Sequence, residues 1–377
     1  MGYESDVGKV ITVSGPVDPD NIGVALMHEH LFLDLRKNHI PHLKIVNIPG
    51  RSEPIMTSED FPATELKIWE AKLDFENLHL AKNVAPLSDN YVLDDENVAV
   101  DEVNWFKESG GGTIVDVTSI GMKRDPEALN RVSQATGINL IMGTGYYQKV
   151  FHPEDMDQLS VDTITAEIIH DVKIGVRDTG IRSGIIGEIG VNGDPITRNE
   201  EKSIRAASRA SLQTGAAITF HRGGTGSERH ITLNLVEEEG ADLTRVIMGH
   251  SDEIAGDFEL LESLLVRGVY IQFDLIGREY AVDQINAISP ETSLDLSVTG
   301  KDAHSIPKLI EAGYEDKILL SHDVCWKTHL KKYGGFGYSF IIERFLPYLR
   351  QIGVGDTQIN KMMIENPKSI LPLVEPI

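Results

Sequence analysis

The chain has 377 residues, and 35 basic against 58 acidic side chains give a formal net charge of −23. That balance argues against nucleic acid or an anionic membrane surface as partner, although a few local cations could still serve an anionic small molecule. The 41% apolar and 25% charged fractions are those of an ordinary globular protein, long enough to bury a large core. Cys325 is the only cysteine, so no intrachain disulfide forms, and Met1–Val10 carries no apolar signal core. With no stretch as long as a membrane span, these features predict a cytoplasmic protein.

The first short apolar run, Val24–Met27, leads into His28 and His30, whose i, i+2 spacing turns both rings to one side of a strand. From Lys37 to about Asn97 the rhythm breaks. This insertion holds an amphipathic stretch, Ala63–Leu80, and an acidic one, Asp89–Asp101. A lid, a dimer contact and simple packing on the outside all remain open to it. Thr113–Val117 reads as the second strand, with Asp116 able to orient a ligand histidine. Asn139–Met142 is the third; Tyr146 and Tyr147 follow it and either line a mouth or pack under a loop. Gly184–Ile189, the fourth, carries Glu188. After an amphipathic helix, Glu201–Gln213, the fifth run, Ala216–Phe220, ends at His221. Arg222 comes next and either reaches an anionic substrate group or forms a salt bridge. Arg245–Met248 leads to His250, Asp257–Arg267 is helical, and Val269–Phe273 is the seventh run. Ala303–Ala312 reads as the next helix. Lys317–Leu320, the eighth run, leads to Asp323, and Arg278 and Lys327 fall in loops on the same face. A helical tail, Tyr338–Arg350 and Thr357–Ile364, ends in Glu365-Asn366-Pro367.

Short apolar runs alternating with amphipathic helices imply a parallel sheet, and eight such units imply a closed (β/α)8 TIM barrel. We expect one domain over 1–377 with an insertion at about 37–97. An open doubly wound sheet is the alternative, but no Gly-rich dinucleotide fingerprint follows the first run. In a barrel the C-terminal strand ends converge on the face where active sites form. His28, His30, Glu188, His221, His250 and Asp323 then share that face. Taken singly, each has an ordinary structural explanation; their common position carries the reading. Imidazoles with carboxylates suit zinc or a similar ion, and the set is too large for one catalytic ion and about right for two. His39, His79, His170 and His329 lack this placement and read as surface or structural, and a regular strand turns His322 away from Asp323.

The chain resembles the phosphotriesterase family of the amidohydrolase superfamily. The likeness spans nearly the whole length and is carried by Met27-His28-Glu29-His30-Leu31, Gly184 to Gly190, Phe220-His221-Arg222, Met248-Gly249-His250-Ser251-Asp252 and Ser321-His322-Asp323. The runs Lys332 to Tyr338 and Ile364 to Lys368 bring it nearest to the phosphotriesterase-related branch. The resemblance implies two divalent ions, with zinc the expected metal. His28, His30 and Asp323 would hold the more buried ion, His221 and His250 the more exposed one, and Glu188 would bridge them where some relatives use a carbamylated lysine. It also implies a homodimer. One departure matters: efficient phosphotriesterases carry a histidine after the aspartate that ends the seventh strand, and here Leu275 follows Asp274.

The expected activity is metal-assisted hydrolysis of an amide, lactone or carboxylic ester of a small molecule, with an N-acyl amino acid or amino sulfonate plausible. Activated hydroxide would attack, and Asp323 would accept its proton and pass it to the leaving group. Arg222, Tyr146 and Tyr147 are the candidate substrate contacts, and Cys325 is a bystander. A lactonase or a phosphotriesterase is the alternative chemistry. A metal-stabilised binding protein without turnover is the alternative class.

Overall fold

The computed structural model describes residues 6–39, 43–46, 55–58, 63–83, 87–193, 195–278 and 298–377. The apolar runs fold as β1 (Val24–Glu29), β2 (Gly111–Asp116), β3 (Asn139–Thr144), β4 (Ile185–Gly190), β5 (Ile218–His221), β6 (Val246–Met248), β7 (Tyr270–Phe273) and β8 (Ile318–Leu320). They form one parallel sheet of eight in sequence order. The sheet closes where the Asp323 amide donates to the His28 carbonyl at 3.1 Å. A helix follows each of the first seven strands: α1 (Glu96–Glu108), α2 (Pro126–Thr136), α3 (Val161–Lys173), α4 (Arg198–Thr214), α5 (Glu228–Glu238), α6 (Phe258–Leu265) and α7 (Val298–Glu311). This is the expected barrel.

Local chemistry sets the ends of these elements. In α4, Thr197 accepts from the Glu200 amide while Glu200 accepts from the Thr197 amide at 2.8 Å, and Gly215 ends the helix at φ 71°. Both orphan donors at the start and the left-handed turn at the end are thereby satisfied. The core divides by strand alternation. Ala25, Met27, Val115, Ile141, Ile185, Ala217, Ile247 and Leu319 belong to the cluster that fills the barrel, joined by Val10 of the hairpin Val10–Thr12/Gly15–Val17. Leu26, Ile114, Leu140, Ile186, Ile218, Met248, Ile271 and Leu320 face the helices.

The insertion is built of short elements. The amphipathic stretch Ala63–Leu80 contains the helix Ala63–Trp69 and the start of a second, Leu78–Asn83. Between them Asp74 Oδ1 accepts from the Glu76 and Asn77 amides, and Asp89 accepts from the Leu73 amide. These local bonds outcompete a continuous helix. The acidic stretch splits as well. Asp95 caps α1, so the helix that crosses to β2 already begins at Glu96. The insertion leaves and re-enters through a neck in which Leu33–Asp34 pairs antiparallel with Val92–Leu93.

The tail is helical over 337–351 and 356–370. It runs through Pro367 because a widened turn, Lys361–Glu365, precedes it, where an amide that proline lacks is not required. Among the described residues no helix is long and apolar enough to cross a membrane. The tail is fastened to β8 by Asn366, whose buried amide donates to the Glu315 and Ile318 carbonyls, both at 2.8 Å. Asn366→Ala strands both acceptors and is expected to lower stability by about 1–3 kcal/mol, read as a lower urea midpoint at unchanged slope.

Candidate metal centre

Three backbone devices aim the polar side chains at the C-terminal mouth. In β5 simple alternation suffices: Ala217 points inward, Ile218 and Phe220 outward, and His221 ends the strand. In β1 and β4 the pairing register slips, between Leu26 and Glu29 and between Ile186 and Ile189. Each slip re-aims the next residue, so His28 and Glu188 enter the interior although Leu26 and Ile186 face outward. After β6 and β8 the chain turns through left-handed residues, His250 at φ 47° and Asp323 at φ 51°. Such strain on non-glycine residues concentrates at functional sites.

These devices bring His28, His30, Glu188, His221, His250 and Asp323 together, all nearly fully buried. Glu188 is central. Its Oε2 lies 2.7 Å from His221 Nδ1 and 3.3 Å from His28 Nε2, and its Oε1 lies 3.5 Å from His30 Nε2. Asp323 Oδ1 is 3.2 Å from His30 Nε2 and 3.9 Å from His28 Nε2. His250 Nε2 meets His221 Nδ1 at 2.8 Å. Two overlapping groups, His28 with Glu188 and His250, and His28 with His30 and Asp323, hold donor atoms within 4.8 Å of one another. Burial raises the Glu188 carboxyl, but His221 and His28 outweigh it and hold it well below the carboxylate range. Burial lowers His28, but Asp274 and Glu188 beside it push it well above its usual value. Burial and His250 depress His221 to about 4. Burial opposes ionisation of Asp323, yet Arg278 and His30 hold it to about 2.

The donor set fits divalent cations. Neither ring nitrogen of His28 makes a hydrogen bond of ordinary geometry, although it is fully buried among carboxylates. Buried carboxylates facing imidazoles demand positive charge, and a metal ion supplies it.

A surrounding ring fixes the set, and the sequence reading missed most of it. Asp274 Oδ1 lies 2.6 Å from His250 Nδ1, and its Oδ2 lies 3.1 Å from His28 Nδ1. It follows β7 as Asp323 follows β8, so the same positional rule could have found it. Glu29, between the two β1 histidines, accepts from Ser321 Oγ and from the His322 and Val324 amides at 2.8–2.9 Å, and faces His322 Nδ1 at 2.8 Å. It buckles β8 to β1 and turns His322 away from the cluster. Arg229, fully buried, donates to the Gly249 and His250 carbonyls at 3.0 and 2.9 Å. An arginine in line with Leu233 and Val236 on the buried face of α5 was its only signal. Asp116 bonds to none of these histidines. It accepts from the Leu31 and Thr118 amides, and Thr118 Oγ1 meets His30 Nδ1 at 2.8 Å.

The expected substrate contacts divide. Tyr147 reaches the centre, its hydroxyl 3.1 Å from His221 Nδ1, and Gln148 Nε2 lies 2.9 Å from His221 Nε2. Tyr146 does not: its hydroxyl donates to Glu167 of α3 at 2.5 Å, so it anchors the outer helix rather than lining the mouth. Arg222 forms the salt bridge, to Glu253 at 2.9 Å, and Lys327 is paired with Asp89 at 2.9 Å. Arg278 instead pairs with Asp323 itself. His39 and His329 join Tyr91 and Trp326 in an aromatic wall beside it. Carboxylates that orient ligand imidazoles commonly govern metal affinity. Asp274→Asn is therefore expected to weaken binding of a divalent cation about 10–100-fold, measured by competition with a chelator, with the far-ultraviolet circular dichroism unchanged.

A sequence profile described as "Phosphotriesterase family" matches residues 8–371. A protein of Danio rerio described as N-acetyltaurine hydrolase is 33% identical, covering 96% of this chain and 97% of its own. One of Dictyostelium discoideum with the same description is 32% identical over 98% of this chain and 99% of its own. Among solved structures, a resiniferatoxin-binding protein from Rhodobacter sphaeroides superposes with a TM-score of 0.81 at 35% identity, covering 98% of this chain and 97% of that one. The match spans the barrel and every strand end that carries the cluster, and the chain therefore belongs to the Phosphotriesterase family, as a hydrolase on a (β/α)8 barrel.

Proposed function

We propose that this protein cleaves the amide bond of a small N-acyl compound, an N-acyl amino acid or amino sulfonate, at a centre of two divalent ions. The observation that carries the reading is Glu188, whose carboxylate lies between the two sets of histidines, within 3.5 Å of His28 and His30 of one set and 2.7 Å from His221 of the other. That is the arrangement a bridging carboxylate needs. The relatives described as N-acetyltaurine hydrolases support the substrate class. In this reading His28, His30 and Asp323 hold one ion, His221 and His250 the other, and Glu188 both. Zinc suits these donors. A single domain over 1–377, a homodimer and a cytoplasmic location belong to the same proposal; one continuous core cluster reaching from Ile11 to Leu373 supports the first.

When bound, the cations polarise the scissile carbonyl and acidify water. Asp323 takes the proton of the attacking water as its oxygen bonds to the carbonyl carbon. It then delivers that proton to the leaving nitrogen as the C–N bond breaks. Tyr147, held beside His221, is placed to donate to the carbonyl oxygen as charge develops there. Leu275 leaves no imidazole to relay the proton onward, which sets phosphotriesters behind amides.

A second reading is binding without turnover, favoured by the description of the Rhodobacter relative as a resiniferatoxin-binding protein. A hydrolysis screen of metal-loaded protein separates the two. N-acyl amino acids and N-acyl amino sulfonates should be cleaved ahead of lactones, carboxylic esters, phosphorylated sugars and phosphotriesters. Tight binding with no turnover on any of them would establish the second reading. Asp323→Asn keeps an oxygen near the histidines but loses the proton acceptor, so kcat should fall by a factor of about 10²–10⁴, with a smaller change in metal content. Full recovery of kcat on adding excess metal would reduce Asp323 to a ligand.

A further inference from the structure

His221 differs from the other histidines of the cluster in what its outward nitrogen meets. Its Nδ1 points inward, 2.7 Å from Glu188 Oε2 and 2.8 Å from His250 Nε2. Its Nε2 points outward and lies 2.9 Å from Gln148 Nε2, an amide nitrogen. The outward nitrogens of the other three face oxygens, Asp274 for His28 and His250, and Thr118 for His30. An oxygen can accept the proton that a ligating imidazole carries on its far nitrogen, and an NH2 group cannot. The fold nevertheless builds Gln148 into this place. Gly190, at the end of β4, is the register partner of His221 in β5. A Cβ on Gly190 would meet the Tyr147 carbonyl carbon at 2.4 Å and the Gln148 amide nitrogen at 2.5 Å. Glycine therefore lets the loop after β3 lie directly on the strand end beside His221. The Gly190 amide donates to the Tyr146 carbonyl at 3.1 Å, and His152 Nε2 meets the Tyr147 carbonyl at 2.7 Å, which fasten the same loop.

We propose that Gln148 is a positioning residue for His221. Its carboxamide holds Nε2, commits Nδ1 to the cluster, and turns over when Nδ1 becomes a ligand. The inference rests on the reading of the site as a metal centre and names the residue that prepares one of its ligands. A neutral imidazole carries one proton. Facing Glu188, that proton sits on Nδ1, and Nε2 accepts from the Gln148 amide. The second amide hydrogen reaches the Tyr147 hydroxyl oxygen at 3.1 Å, which leaves the tyrosine its own proton to give. When Nδ1 presents its lone pair to a cation instead, it loses its proton and Nε2 gains one. The ring stays neutral in both states. The proton on Nε2 then opposes the NH2 group, and half a turn of the carboxamide puts Oε1 in its place as acceptor. Lysine or arginine there could only donate, and methionine could do neither. Glutamine is the side chain of this length that serves both states without adding charge.

Nuclear magnetic resonance of the full chain with nitrogen-15 in its histidine rings tests this without turnover. The His221 signals are those missing from His221→Asn. In the metal-free protein the proton should sit on Nδ1, with Nε2 shifted by the bond from Gln148, and Gln148→Met should remove that shift. On loading with zinc the proton should move to Nε2. Competition with a chelator reads the affinities in parallel. The ion held by His221 should bind about 10–100-fold more weakly in Gln148→Met, with the other ion unchanged. Gln148→Glu, which keeps an acceptor, should recover the affinity. A proton on Nε2 in metal-free wild type, or unchanged zinc affinity in Gln148→Met, would overturn the proposal. Failure of the metal reading looks different: wild type would take up no zinc, while the metal-free spectra of wild type and Gln148→Met would still decide whether Gln148 holds Nε2.

Discussion

Glu188 is the constraint around which the mouth of the barrel is organised. Its carboxylate is buried between histidines from two different strands, and Asp274 and Asp323 are buried with it. An isolated buried carboxylate is too costly to keep ionised. Several of them, set beside imidazoles, persist only if positive charge is concentrated among them. In the structure this comes from His28, raised by Asp274 and Glu188, and from Arg278 on Asp323. A divalent ion would supply it more completely. The rest of the mouth serves that arrangement: Asp274 orients two imidazoles, Glu29 ties the end of β8 to β1, and Arg229 clamps the carbonyls of Gly249 and His250.

The barrel was legible because both of its cores obey a period of two. Each strand is buried on two faces, so it reads as a short apolar run, and the helices between carry their own stripe and caps. The convergence of polar groups followed from strand ends alone. How those groups are aimed did not. Regular alternation would turn His28 and Glu188 toward the helices with Leu26 and Ile186; only the register slips in β1 and β4 bring them inside. His250 and Asp323 depend on left-handed turns that neither residue type announces. Glu29 and Arg229 were hidden for another reason. A charged residue beside a ligand motif, or on the buried stripe of a helix, looks like surface until its partners are known.

The insertion shows where pattern reading loses force. The stretch Ala63–Leu80 reads only as amphipathic, and Asp74, Asn77 and Asp89 offer its backbone local partners that divide it into short helices. The insertion nevertheless reaches the mouth, contributing His39 and Tyr91 to the wall that stacks on Trp326 beside Arg278. An excursion after the first strand thus meets loops after the seventh and eighth, and the surface beside Asp323 is built from parts far apart in sequence.

The most direct test of the account is the metal stoichiometry of wild type against Glu188→Gln, by elemental analysis of protein reconstituted and freed of excess ion. The substitution keeps the size of the side chain and removes the charge that faces both sets of histidines. The account predicts two divalent ions per chain in wild type and at most one in the variant. One ion in fully active wild type, or an unchanged pair in Glu188→Gln, would contradict it.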